Sequence, residues 1–377
     1  MIQVIKVNSK SKMREFVNFP LKLYKGNPYY CPPFYSDELA LYDPKKKSPY
    51  AEYSDSVFFL AYKDYELAGR LGVIINHAYN RKTNELAARF TRFECIQDFD
   101  VAEALFEAAE KFVRYNNLTR IYGPLGYTDL DREGLLVEGF DCCSCYGSSY
   151  NPDYYQTFIE RLGYKKHADW IERRIKVPTV PPEKSSRFAD IISEKYHLTD
   201  VITNETKIKP IIKKYGKEIF ELIDVAYSDL EGTIPITDKV RDATLKQLGL
   251  LFKPRYISII KDDTDKIVGF GVALPCMWHA MNKCKGKLFP FGFIKILRAL
   301  KHFNEVELAL IAVAPKYKDK GLIALIMHRL TCNAIEDGIK YAETNGTLET
   351  NLPINNMLEK YEHIKHKRKR CYYKDLV

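Results

Sequence analysis

Val306-Glu307-Leu308-Ala309-Leu310-Ile311-Ala312-Val313-Ala314-Pro315-Lys316-Tyr317-Lys318-Asp319-Lys320-Gly321-Leu322-Ile323-Ala324-Leu325-Ile326 reads as a strand, a basic turn and the opening of a helix. The apolar run ends at Val313. The proline and the charges mark the turn, and the apolar positions after Gly321 carry on at helical spacing to about residue 337. The first N–H groups of a helix have no intrahelical partner, and the helix dipole favours an anion there. Gly321 lets such an anion approach the backbone, and Lys316, Lys318 and Lys320 surround the place with positive charge. The stretch therefore predicts a phosphate-binding turn between a strand and a helix. The competing reading is an ordinary solvated, lysine-rich turn.

Upstream lie Ile257-Ser258-Ile259-Ile260-Lys261-Asp262-Asp263 and Ile267-Val268-Gly269-Phe270-Gly271-Val272-Ala273-Leu274, two strands around a polar turn. The first half of the chain repeats the device. There Val57-Phe58-Phe59-Leu60-Ala61-Tyr62-Lys63-Asp64 is followed by Leu67-Ala68-Gly69-Arg70-Leu71-Gly72-Val73-Ile74-Ile75, and Gly69 matches Gly269. A helix precedes each hairpin (residues 12–24 and 215–230). A third strand and a long amphipathic helix follow (92–96 with 101–115; 306–313 with 322–337). A short strand comes next (120–122; 341–344), then a helix opening at an Asn-Pro or Asn-x-Pro and a last strand. The same order twice predicts an internal repeat of α/β units with mixed sheets. Three prolines, Pro178, Pro181 and Pro182, mark the junction. The expected division is a first domain over 1–177, a linker over 178–195 and a second domain over 196–377.

The bulk composition agrees. The 377 residues suit about two domains, with 46% hydrophobic and 28% charged residues, a globular balance that disfavours disorder. Net charge is 58 − 49 = +9, which fits an anionic ligand or surface without choosing one. The nine cysteines show no paired metal spacing, so reduced thiols, no metal and a cytoplasmic protein are expected. No apolar run is long enough to span a bilayer.

At Lys318-Asp319-Lys320-Gly321-Leu322-Ile323-Ala324 the chain resembles the GNAT superfamily of N-acetyltransferases, whose acyl-CoA motif is Arg or Gln, two other residues, Gly, one other, and Gly or Ala. Ile323 stands at the last position, with Ala324 one place later. The resemblance implies two tandem GNAT-like α/β domains, each a mixed, mostly antiparallel sheet flanked by helices. It implies acetyl-CoA or a longer acyl-CoA as co-substrate, held by Ile311, Ala312 and Val313 along the pantetheine arm and by residues 318–324 at the pyrophosphate. Leu348-Glu349-Thr350-Asn351-Leu352-Pro353 resembles the later GNAT segment, which implies a role for Asn351 at the cofactor and for Tyr361 as general acid. Glu307 or Glu349 is the candidate base for the amine. An aromatic on a packed helix face and exposed glutamates are the plain alternatives.

The whole chain also resembles a bacterial family of tandem GNAT proteins, through Asn27-Pro28-Tyr29-Tyr30-Cys31-Pro32-Pro33, Gly134-Leu135-Leu136-Val137-Glu138-Gly139-Phe140-Asp141 and Tyr150-Asn151-Pro152-Asp153-Tyr154-Tyr155. Related members look like N-acyltransferases of long-chain amino bases. In the first half, Gln97-Asp98-Phe99-Asp100 is acidic where the phosphate turn should be, so that half is expected not to bind CoA. The segment 123–141 is rich in acids; Asp129, Glu138 and Asp141, with Asn151, are candidates to receive a cationic amine.

Residues 287–302 place Phe293, Ile296, Leu297 and Leu300 on one stripe and Lys295, Arg298, Lys301 and His302 elsewhere. This suits either a helix packed on the body or peripheral contact with a membrane. The basic run 365–370 suits a solvated last strand, and no nucleic-acid motif is present. The expected activity is acyl transfer from acyl-CoA to a small-molecule or lipid amine, by a monomer or homodimer. The rivals are a non-catalytic regulatory protein of the same fold and a membrane-peripheral enzyme acting on a long-chain amine.

Overall fold

The computed structural model describes residues 1–42, 48–202, 207–228, 230 and 232–376, without the side chains of 41, 42 and 248. In chain order the first half gives β1 (Ile2–Lys6), α1 (Lys10–Leu23), α2 (Tyr35–Tyr42), β2 (Ser54–Lys63), β3 (Glu66–Asn76), α3 (His77–Thr83) and β4 (Ala87–Cys95). It continues with α4 (Phe99–Tyr115), β5 (Arg120–Gly123), β6 (Leu135–Glu138), α5 (Tyr154–Arg161) and β7 (Lys165–Lys176). The second half begins with α6 (Glu183–Lys195), β8 (Thr199–Asp200), α7 (Ile208–Ala226), α8 (Asp238–Leu248), β9 (Ile257–Lys261), β10 (Ile267–Pro275) and α9 (Trp278–Cys284). There follow α10 (Gly292–Lys301), β11 (Glu305–Val313), α11 (Leu322–Glu336), β12 (Tyr341–Thr344), β13 (Thr347–Leu348), α12 (Leu352–Leu358) and β14 (His363–Asp375).

The strands join into one sheet in the order β1-β2-β3-β4-β5-β14-β7-β12-β11-β10-β9-β8. Read from the two ends, β1 to β5 mirror β8 to β12, and the repeat seen in the sequence is a repeat of structure. The last strands are exchanged: β14 lies beside β5, and β7 lies beside β12. The two also pair with each other, from His363 opposite Ile175 to Tyr373 opposite Lys165. The boundary expected at 177 therefore follows β7, a strand of the first half that completes the sheet of the second. The stretch expected as a linker, 178–195, holds a helix, α6, tied to α11 by Ser185 Oγ and His328 Nδ1 at 3.1 Å. The helix expected over 215–230 begins earlier, at Ile208, and ends at Ala226; position 229 lies outside the described residues.

Helices α4 and α11 lie on one face. Val101, Ala102, Leu105, Phe106, Ala109 and Val113 of α4 recur at helical spacing and are all buried. Burying Leu105 or Phe106 contributes roughly 1.5–3 kcal/mol each. The matched glycines explain how these helices sit so close. A Cβ on Gly69 would stand 2.8 Å from Leu105 of α4, and one on Gly269 would stand 3.2 Å from Ile326 of α11. On the opposite face, α7 and the α9–α10 excursion cover the second half, with Phe220, Ile223, Phe270, Val272, Leu274, Met277, Met281 and Ile296 in one core.

Candidate functional site in the second half

β11 and β12 run parallel and pair only from Glu305–Tyr341 to Leu308–Thr344. Beyond Leu308, β12 ends while β11 continues to Val313, so the edge of β11 parts from its neighbour. A bulge falls at the same place, since Val272 faces Leu310 and Ala273 faces Leu308. A bulge bends its strand and disrupts the ladder locally. Ile311, Ala312 and Val313, expected along the cofactor arm, lie on this splayed length. The Tyr227 hydroxyl donates to the Ile311 carbonyl at 2.9 Å, and Asn345 Nδ2 donates to the Ala309 carbonyl at 3.3 Å.

At the end of β11 the chain makes a 3-10 turn over Pro315–Tyr317 and enters α11 through Gly321, which is left-handed at φ 86°. Among the described residues no side chain caps α11, and its first turn holds no acid. Lys318, Asp319, Lys320, Gly321, Leu322, Ile323 and Ala324 thus form the open helix start expected from the sequence. Lys316, Lys318 and Lys320 have no ion pair among the described residues; Lys320 lies over the rings of Tyr196 and Tyr317. Phe188 of α6 covers one side of Gly321, where a Cβ would stand 2.8 Å from its ring. The uncapped helix start, the lysines and the positive φ fit a pyrophosphate.

On the α11 side of the split, Leu308, Met327, Leu330, Ala342 and Tyr361 line a cavity of about 30 Å³, room for one or two waters. Burial holds the Tyr361 hydroxyl above its usual range, so it stays protonated. Arg173 of β7 lies nearby, a residue missed in the sequence. It is 1% exposed, its Nη2 reaches Glu359 at 3.3 Å, and its Nε and Nη1 have no hydrogen-bond partner among the described residues. Nothing in the local pattern singles out an arginine on a strand that belongs, in sequence, to the other half.

Glu307 points to the opposite face. It is 1% exposed, and burial pushes its carboxyl up to about 7. Both of its oxygens accept from the Tyr146 N–H, at 2.9 and 3.0 Å. The roof over it comes from the first half, residues Cys145, Tyr146 and Gly147. Arg132 holds that roof by donating to the Tyr146 and Cys31 carbonyls. Cys145 and Cys276 bring their sulfurs within 4.8 Å of each other and of a Glu307 oxygen. The sequence spacing had offered no such set; the fold assembles it from three separate segments. The mutual hydrogen bond and burial hold the Cys145 thiol well above its usual range. The same bond pulls Cys276 down, burial outweighs it, and that thiol sits at about 11. Both are neutral thiols in this arrangement.

The acids of segment 123–141 divide. Asp129 is pushed by burial up to about 6, and burial holds Glu133 well above the usual carboxylate range. The two feel each other and the buried Arg89, and Asp129 also feels Tyr227, the residue that reaches Ile311. Glu138 instead sits on the surface and pairs with Arg368 at 3.0 Å, and Asp141 is exposed. Asn151, expected to meet substrate, bridges the N–H and carbonyl of Leu136 at 2.7 and 3.0 Å and so anchors β6. Asn351, expected at the cofactor, caps α12 by accepting from the Ile354 N–H. Glu349, expected as a base, is held by Lys166 at 2.7 Å and Arg368 at 3.7 Å. These four side chains are committed elsewhere. Glu307 and Tyr361 remain, on opposite sides of the split.

The fold is that of the GNAT acyltransferases, duplicated in one chain. A tandem GNAT protein from the clavulanic acid biosynthesis pathway superposes with a TM-score of 0.56 at 11% identity, covering 100% of this chain and 99% of that one. Among curated proteins, Protein YghO of Escherichia coli (strain K12) is 27% identical over 98% of this chain and 94% of its own length. The bacterial ceramide synthase of Caulobacter vibrioides is 25% identical over 100% of this chain and 98% of its own length. No protein-family model matches the chain. Among the described residues, no helix is long and apolar enough to cross a membrane.

Proposed function

We propose that this protein is an acyl-CoA-dependent N-acyltransferase that works in its second half and takes a long-chain amine as acceptor. The observation that carries the reading is the split between β11 and β12, with an uncapped, lysine-ringed helix start on one side and a buried glutamate poised near neutrality on the other. The full-length likeness to a bacterial ceramide synthase supports the choice of acceptor.

In this reading Gly321, the N–H groups of the first turn of α11 and the three lysines hold the pyrophosphate, and the splayed edge of β11 holds the arm. Acyl-CoA supplies an activated thioester carbonyl. Glu307, when ionised, takes the proton from the amine, and the protonated Tyr361 hydroxyl is the donor available on the leaving side. Asp129 and Glu133 are the acids that would receive the ammonium group of the amine, and a cation beside them would favour their ionised forms. Glu307 is covered, so the Cys145–Gly147 roof must lift for the amine to meet it. The cavity beside Tyr361 is smaller than a pantetheine arm, so α12 or α6 must also yield. Most of the rate would come from positioning the two reactants.

Calorimetric titration with CoA, acetyl-CoA and palmitoyl-CoA tests the donor. Binding is expected, with the acyl preference setting the chain length. No heat and no competition with any of the three would leave the non-catalytic rival standing.

A further inference from the structure

We infer that the excursion between β10 and β11 is a docking surface for an anionic membrane. Among the described residues, five of the sixteen exposed large hydrophobic side chains fall within nine positions: Phe289, Phe291, Phe293, Ile294 and Leu297. They are 81%, 70%, 39%, 53% and 53% exposed. Helix α10 is apolar on two sides. Ile296 and Leu300 turn inward and join the core of the second half, while Phe293, Ile294 and Leu297 face water. The inward side chains account for the fold, and the outward ones need another partner.

The surrounding charge says which. Residues 276–304 contain Lys283, Lys285, Lys287, Lys295, Arg298 and Lys301 and no aspartate or glutamate, a net +6. None of these six forms an ion pair among the described residues. Lys295 donates to the Lys283 carbonyl and Lys287 lies over the Tyr35 ring; the charges themselves are uncompensated. Exposed phenylalanines ringed by unpaired cations match a bilayer interface, whose headgroups are negative and whose acyl boundary takes aromatic and aliphatic side chains.

The patch is also held firmly. Asn282 Nδ2 donates to the Asn27 and Tyr30 carbonyls, at 3.0 and 2.8 Å, and the Tyr35 N–H donates to the Gly286 carbonyl at 2.9 Å. A fixed platform loses little conformational freedom on docking. It adjoins the acceptor side: Cys276, at the root of the excursion, is the residue gathered with Glu307. A long-chain amine could pass from the bilayer toward Glu307 without entering bulk water. That purpose rests on the acyltransferase reading; the docking itself does not.

Vesicle cosedimentation decides the matter without any activity assay. The full chain is mixed with phosphatidylcholine vesicles, and with vesicles in which about a third of the lipid is phosphatidylserine. The wild-type chain should bind the anionic vesicles at least about tenfold more tightly and be released near 1 M salt, where charges are screened within about 3 Å. Phe293→Ser with Leu297→Ser should weaken that binding about tenfold or more, with an unchanged melting curve because both side chains are exposed. Arg298→Glu with Lys301→Glu should act in the same direction. No binding to anionic vesicles, as expected of a surface for another protein, overturns the inference. So does undiminished binding by both double variants. CoA binding measured on the same variants separates a failure here from a failure of the enzyme reading.

Discussion

The fourth strands of the two repeats, β4 and β11, occupy the same place in the sheet and hold opposite residues. In the third register position of the parallel pair, β4 has Arg89 opposite Tyr122, and β11 has Glu307 opposite Glu343. Arg89 is buried and fully engaged: its guanidinium donates to the Tyr122 hydroxyl and to the carbonyls of Gly126, Tyr127 and Gly232. At the tip of β4, the Tyr155 hydroxyl accepts from the Cys95 N–H at 2.6 Å, and the Tyr154 hydroxyl donates to the Cys95 carbonyl at 2.8 Å. The helix after it is capped by Asp98, which bonds the Asp100 N–H and pairs with Lys63. Side chains of the first half thus fill what the second half leaves open. Duplication kept the scaffold twice, and one copy used its groove for packing while lending a roof and a strand to the other.

The largest expected effect is at the position where the strands differ most. Glu307→Gln should lower kcat/KM for acyl transfer roughly 10²–10⁴-fold, the usual contribution of a general base. In the unaltered protein the base must be ionised, so kcat/KM should rise with pH through about 7, falling roughly tenfold for each unit below. A variant that keeps full rate, or a profile flat from pH 5 to about 9, would remove Glu307 from the chemistry. Next comes the helix start. Replacing Lys316, Lys318 and Lys320 together by Gln should weaken CoA binding roughly 10–100-fold in calorimetry and flatten its salt dependence. Unchanged affinity would place the pyrophosphate elsewhere. The smallest effect belongs to the first half. Asp98→Ala should cost about 1 kcal/mol in denaturant unfolding, the worth of a helix cap, and leave CoA affinity within about twofold. If it changed CoA affinity strongly, the contrast between the halves would fail.

The scaffold was legible because hydrophobic periodicity is local. Both hairpins, α4, β11, β12 and the start of α11 stand within a few residues of where their patterns put them. The open turn at Gly321 and the closed one at Asp98 were legible for the same reason, since a helix start is decided by its own first residues. The partners of each polar group were not. Asn151 and Asn351 sit in motif-like settings, yet each satisfies a backbone group beside it. Glu349 looked free until the fold brought Lys166 and Arg368 to it. The Cys145–Cys276–Glu307 cluster, the Arg173 pairing with Glu359 and the Tyr227 contact with Ile311 all join residues far apart in the chain. No spacing rule reaches across such distances. The helix within 178–195 was hidden by the prolines that precede it, which mark a break in the chain but not the conformation of the residues beyond it.

The exchanged strands have a consequence for how the protein is made. The sheet of the first half needs β14 beside β5, and β14 begins only at His363. While the chain is being synthesised, β5 must wait with an open edge until nearly all of the second half has emerged. The repeats therefore cannot mature one after the other, as independent domains do. Each repeat holds the other's last piece, so completion comes late and for both at once.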